Sequence, residues 1–148
     1  MKYKKFVSNQ GWLSLDYPAD WTQSEEEAGT YLFMNNDNWK GSFRITPLKI
    51  TGEDKADIDS RIQSYVNDEI KDNKDSKLLK FGQFKAAHYS VTKDQNENPL
   101  TILYWIFGLK QVLVIATFTI DTTRLTNRDV RHEINSCKKA LETIKIDK

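Results

Sequence analysis

Two histidines and one cysteine, His88, His132 and Cys137, are the side chains best suited to nucleophilic or general-base chemistry, and their spacing assembles no site. His132 and Cys137 lie five residues apart on one predicted helix. At about 100° per residue they point well apart around its axis. Cys137 also falls on an apolar stripe, which suits a small core residue better than a nucleophile, and His132 is expected to face solvent. His88 sits on a predicted strand between Ala87 and Tyr89. It is read as a satisfied or half-exposed histidine, and it becomes a pocket candidate only if a concavity brings acids to it.

Other chemistries are excluded by composition and motif. One cysteine and two histidines cannot build the usual Cys/His structural zinc site. The run Glu53-Asp54-Lys55-Ala56-Asp57-Ile58-Asp59 resembles part of a calcium loop, but it lacks the central glycine and the terminal bidentate glutamate. A solvated first helical turn explains it. The glycines stand at 11, 29, 41, 52, 82 and 108, too dispersed for a phosphate-cradling loop, and no metalloprotease or serine-hydrolase motif is present. No catalytic, cofactor-binding or metal-binding residue is therefore assigned, and no cofactor is expected. The expectation is a non-enzyme, with acids converging from distant positions as the alternative.

The exposed candidates are in the turn Asn35–Gly41. Trp39, with Asn36 and Asp37, is a protein-contact candidate, because tryptophan is enriched at binding hot spots. The bland alternative folds Trp39 back over the sheet edge. Trp12 and Trp21 flank the Tyr17-Pro18 corner and are expected to close one end of the core.

The elements that position these residues follow from periodicity. Asn98–Asp121 holds two apolar runs separated by Lys110-Gln111. A membrane helix needs about 20 apolar residues, but a central lysine costs about 2.5–3.5 kcal/mol there. Its Ile, Val, Thr and aromatic side chains favour strands, and Gly108 with Lys110-Gln111 provides a turn region. The segment reads as a hairpin apolar on both faces, hence central and covered on both sides. Further strands are expected at Tyr3–Val7, Trp12–Tyr17, Thr30–Met34, Ser42–Ile50, Leu78–Phe81 and Phe84–Lys93. Helical stripes run through Ile58, Ile62, Tyr65, Val66 and Ile70, and through Val130, Ile134, Cys137, Leu141 and Ile144. Asp54 and Asp57 suit the first turn of the earlier helix. The late seam lasts about two heptads, too short for a coiled coil, so it is expected to pack on the sheet.

A chain of 148 residues is read as one domain spanning 1–148. Charges balance at 22 basic to 21 acidic residues, so no strong attraction to nucleic acid or acidic membrane is expected. The N-terminus lacks the apolar stretch of a signal peptide and the single cysteine fits a reducing compartment, so the expected location is cytoplasmic.

The run Trp12-Leu-Ser-Leu-Asp-Tyr-Pro-Ala-Asp-Trp21 resembles the opening of PsbP-like domains, in which an apolar strand ends in Tyr/Phe-Pro followed shortly by Trp. The order of helix, late hairpin and closing helix follows the same plan over most of the chain. The resemblance implies an α+β fold, a single antiparallel sheet of about six to seven strands with two main helices packed on it. That superfamily includes a photosystem extrinsic protein and a Ran-binding import factor, and the chain is similar to its bacterial members of unknown function. The function implied is a protein-binding or accessory module of adaptor, effector-chaperone or immunity type, whose partner is another protein. The alternatives are a small-molecule-binding domain or carboxylate-based enzyme, and a structural homodimer. The expected state is a monomer or weak homodimer that binds no nucleic acid and has no membrane span.

Overall fold

The computed structural model describes residues 2–27, 29–35, 41–52, 54–82, 84–95 and 98–146. In chain order these form β1 (Tyr3–Val7), β2 (Leu13–Pro18), β3 (Trp21–Glu27), β4 (Thr30–Asn35), β5 (Ser42–Lys49), α1 (Lys55–Asp72), β6 (Lys77–Phe81), β7 (Phe84–Gln95), β8 (Asn98–Leu109), β9 (Val112–Asp121), a 3-10 turn (Thr122–Arg124), α2 (Arg128–Glu142) and β10 (Lys145–Ile146). The fold is α+β. The expectation of a single sheet is corrected: the strands form a seven-stranded sheet, ordered β3-β4-β5-β9-β8-β7-β6, and a separate three-stranded sheet, ordered β1-β2-β10. Every strand pair is antiparallel. The split occurs at the Pro18–Asp20 corner, where the chain passes from β2 into β3.

The apolar segment Asn98–Asp121 is the central hairpin. β8 and β9 pair from Leu100↔Asp121 to Leu109↔Val112. Lys110 and Gln111 form its turn, both with positive φ, 52° and 68°. That is the signature of a tight hairpin turn whose twist matches the strands. Neither residue is glycine, so the turn is strained and other parts of the fold hold it. Asp59 Oδ1 accepts from the Gln111 amide at 2.8 Å. The Gln111 carbonyl accepts from the Ile50 amide at 2.8 Å. Gly108 is not part of this turn; it lies buried inside β8.

The seven-stranded sheet separates two apolar clusters. On one face, Ile58, Ile62 and Val66 of α1 pack on Ala87, Tyr89, Ile106 and Leu113. On the other, the small sheet and α2 together cover the alternate residues of the long strands. Leu13, Leu15, Val130, Cys137, Ala140 and Leu141 meet Phe33, Phe43, Trp105, Phe107, Val114 and Phe118 there. Cys137 is fully buried, and burial pushes its thiol well up, reinforced by the nearby Glu133 carboxylate. It is a core residue, and Trp21 closes the same core edge-on to Phe43 at 6.4 Å.

Helix ends follow their sequence signals. Asp54 Oδ1 accepts from the Asp57 amide at the start of α1, at 3.3 Å. Asn127 caps α2 through its side chain to the Asp129 amide at 2.8 Å.

Candidate functional site

Side chains alternate between faces along a strand, so the strand register fixes which residues share the α1 face. One unbroken row on that face runs Leu32, Arg44, Thr117, Tyr104 and Tyr89 across β4, β5, β9, β8 and β7. A neighbouring row runs Ser42, Thr119, Ile102 and Val91. Five strands at about 4.8 Å spacing make the first row roughly 19 Å long. The helix α1 lies against β7, β8 and Leu113 of β9, and among the described residues no other helix packs on this face. Leu32, Arg44, Thr117, Tyr104, Thr119, Ile102 and Val91 are all half-buried. The expectation that both faces of the central hairpin are covered is therefore corrected. Among the described residues, one face is covered by α2 and the small sheet, and the other by α1 at one end only.

The chemistry of this face is fixed in place. Arg44 is held in a two-point pair with Glu26, Nε to Oε1 at 2.6 Å and Nη2 to Oε2 at 3.0 Å. That bond chiefly holds the Glu26 carboxyl below its ordinary range and raises the Arg44 guanidinium. Tyr104 stacks on Tyr89, with centroids 4.9 Å apart and planes within 16°. The Tyr89 hydroxyl donates to Glu69 Oε2 at 3.1 Å, and Asn73 Nδ2 donates to the same oxygen at 2.9 Å. Burial, then the Glu69 bond, raises the Tyr89 phenol far above its ordinary value. Tyr65, 42% exposed, borders the cluster from α1. This surface combines aliphatic, threonine and tyrosine side chains with an immobilised arginine. Tyrosine and arginine are the types enriched where proteins meet other proteins. No cluster of metal-ligating side chains lies on it among the described residues.

His88 belongs to the opposite face, in register with Trp105. Its ring stacks on Trp105 at 4.9 Å and 19°. Its Nδ1 lies 2.9 Å from the Tyr104 carbonyl, which can only accept, so Nδ1 carries the proton. Burial is the main cause lowering its pKa; the carbonyl bond opposes this, and Lys138 and Lys77 lower it further. Its charged neighbours are thus lysines rather than the acids a catalytic pair would need. Three shallow depressions of about 260, 410 and 460 Å³ lie along α2, and His88 lines none of them. His132 is exposed, lining the smallest depression. Trp39, Asn36 and Asp37 fall outside the described residues.

The lowered pKa of His88 predicts a pH effect of known sign. Unfolded, the imidazole binds a proton near pH 6.5; folded, it does so only at lower pH. Between the two values the unfolded state holds more protons, so stability falls as pH drops below 6.5. Thermal melts of wild type and His88→Gln from pH 7.5 to 5 should show a flatter pH profile in the variant. Parallel profiles would contradict this.

Sequence reasoning missed the open face, although a signal existed. Thr117 and Thr119 alternate with Phe118 in β9, and Arg44 and Thr46 alternate with Phe43 and Ile45 in β5. Polar alternates on adjacent central strands mark a face that is not sealed.

Comparison with known proteins places this architecture. A crystal structure from Bacteroides thetaiotaomicron is 26% identical, with a TM-score of 0.77. It matches 100% of this chain, which spans 50% of that chain's length. The Ran-binding protein Mog1p of Saccharomyces cerevisiae is 12% identical over 99% of this chain and 96% of its own, with a TM-score of 0.52. LpqN of Mycobacterium tuberculosis, described as involved in cell envelope biogenesis, is 12% identical over 99% of this chain and 91% of its own, with a TM-score of 0.51. At such identities the latter two show the fold alone, which is the PsbP-like fold expected from the Trp12–Trp21 run. Among curated proteins, none matches the chain by sequence. The family model that does match covers residues 1–146, and the chain belongs to that family, DUF3805, a domain of unknown function.

Proposed function

We propose that the protein is a non-enzymatic binding module that recognises another protein through the open part of its α1 face. The observation that carries this reading is the row Leu32–Arg44–Thr117–Tyr104. It is a half-exposed band on rigid central strands, with its arginine and tyrosine locked by Glu26 and Tyr89. Pre-ordered side chains lose little entropy on binding. The Ran-binding description of Mog1p supports a partner that is itself a protein. The small-molecule reading finds less support, because His88 is packed against Trp105 and flanked by lysines.

The test is quantitative affinity purification from the source cells of wild type and a Thr117→Lys/Thr119→Lys double variant. Both changes place charge on the open side and leave the buried side of β9 intact. The expected result is a partner enriched by wild type and reduced at least about tenfold with the variant, a loss of roughly 1.4 kcal/mol. Equal enrichment by both proteins, or none by wild type, would contradict the reading.

A further inference from the structure

The free edge at β6 has a charge pattern that the open face does not explain. Residues 76–93, which contain β6 and most of β7, hold Lys77, Lys80, Lys85 and Lys93 and no acid. The strand register sets several of these positive charges against one another. Lys80 lies directly opposite Lys85 on one face, and Lys77 lies opposite His88 on the other. Lys138 approaches His88 from α2. Like charges directly opposite in a sheet are destabilising. No ion pair to Lys77, Lys80 or Lys85 is present among the described residues.

The same strand is open to pairing. β6 ends the seven-stranded order and, among the described residues, pairs only with β7. In an antiparallel ladder every second residue of such an edge points its N–H and C=O outward. The strand is regular through all five registered pairs. By contrast β3, at the other edge, shifts register between Glu25 and Glu27. Bulges of that kind blunt an edge. Leu78, on β6, is 50% exposed on the α1 face. The edge thus offers backbone hydrogen bonds, an apolar contact at Leu78 and uncompensated positive charge on both faces.

We infer that the β6 edge accepts an extended acidic segment of another protein as an added strand, its carboxylates meeting Lys77, Lys80 and Lys85. Main-chain bonds supply affinity in this mode and alternate side chains supply selectivity. Edge lysines also guard sheets against self-pairing, and that role alone requires no acidic partner. This edge is a second surface, distinct from the open face and tested separately from it. Its failure would leave that face untouched, and the reverse also holds.

The probe is a capped heptapeptide of alternating Glu and Val, titrated into the isotopically labelled protein and followed by amide NMR. A matching Lys/Val peptide serves as the control. The expected result is saturable shifts confined to residues 77–81 and their β7 partners. Binding should weaken at least about tenfold in a Lys80→Glu/Lys85→Glu variant and fall steeply when salt is raised to about 0.5 M. Both substituted side chains are exposed, so the variant should keep the wild-type spectrum elsewhere. No saturable shift at β6 up to about 5 mM peptide, weaker than any useful recognition, would overturn the inference. Equal binding of the two peptides would overturn it as well. So would salt-sensitive self-association of the protein alone that perturbs β6 amides on dilution, because a second copy would then occupy the edge.

Discussion

Trp105→Ala should cost about 3–5 kcal/mol, the range for truncating a buried aromatic. Trp105 is fully buried at the middle of β8. It meets Phe43 edge-on at 6.4 Å and carries the stacked His88 ring. Its removal leaves a cavity between the central hairpin and the α2 layer, whose strands are too tightly paired to collapse into it. For a chain of this size, 2–4 °C per kcal/mol puts the fall in melting temperature at roughly 10 °C. Trp105→Phe should cost far less, below about 2 kcal/mol. The indole Nε1 is buried without a hydrogen-bond partner among the described residues, and removing an unsatisfied donor returns part of the lost packing energy. Chemical denaturation of both variants checks the pair. Equal losses would show that the indole N–H makes a bond the native state depends on.

Gly108→Val should cost about 3 kcal/mol, at the upper end of overpacking effects. A Cβ at Gly108 would lie 2.5 Å from the Val112 carbonyl and 2.7 Å from Ile62 Cγ2. The first contact is backbone within the hairpin. The second is the side of α1 that packs on the sheet. Gln63 Nε2 also donates to the Gly108 carbonyl at 3.3 Å, so the helix is anchored at this point. The variant should release α1 in particular, seen as faster hydrogen exchange across residues 58–70 than across α2. Adding Ile62→Ala should recover part of the loss, because it removes one of the two clashes; the double variant should then be less destabilised than the sum of the singles. Unchanged exchange in α1 would contradict this role.

Gly108 also shows where the sequence was misleading. Its position two residues before Lys110-Gln111 makes it look like a turn glycine, and only the packed structure reveals that its missing side chain admits α1. The strands with strong alternation and the two helical stripes were legible because burial repeats at a fixed period. β10 was not, because two residues carry no period. β3 was not, because Thr22-Gln23-Ser24-Glu25-Glu26-Glu27 lies at an edge, where polar residues are tolerated on both faces. The small sheet escaped notice for a related reason. Pairing partners such as Ser14 and Lys145 are far apart in sequence, and their contact is set by the docking of α2.

The candidate site was less legible than the fold. His88 could be placed on a strand, but not on a face, and the face decides its chemistry. It stands with Trp105 against the α2 layer, whereas its register neighbours one step away, Tyr89 and Tyr104, stand on the α1 side. The open face is a property of the register itself. Arg44, Thr117 and Tyr104 come from three strands spread over 74 residues, and no local pattern connects them.

The most direct test of the proposed role is site-specific photocrosslinking in the source cells. A photoreactive phenylalanine analogue would replace Thr117 at the centre of the open face. A second protein would carry it at Asn135, exposed on α2, as the control. The expected result is a discrete crosslinked protein from position 117 that is missing from position 135. No crosslinked product from 117, or the same product from both positions, would contradict the claim that this face binds a partner.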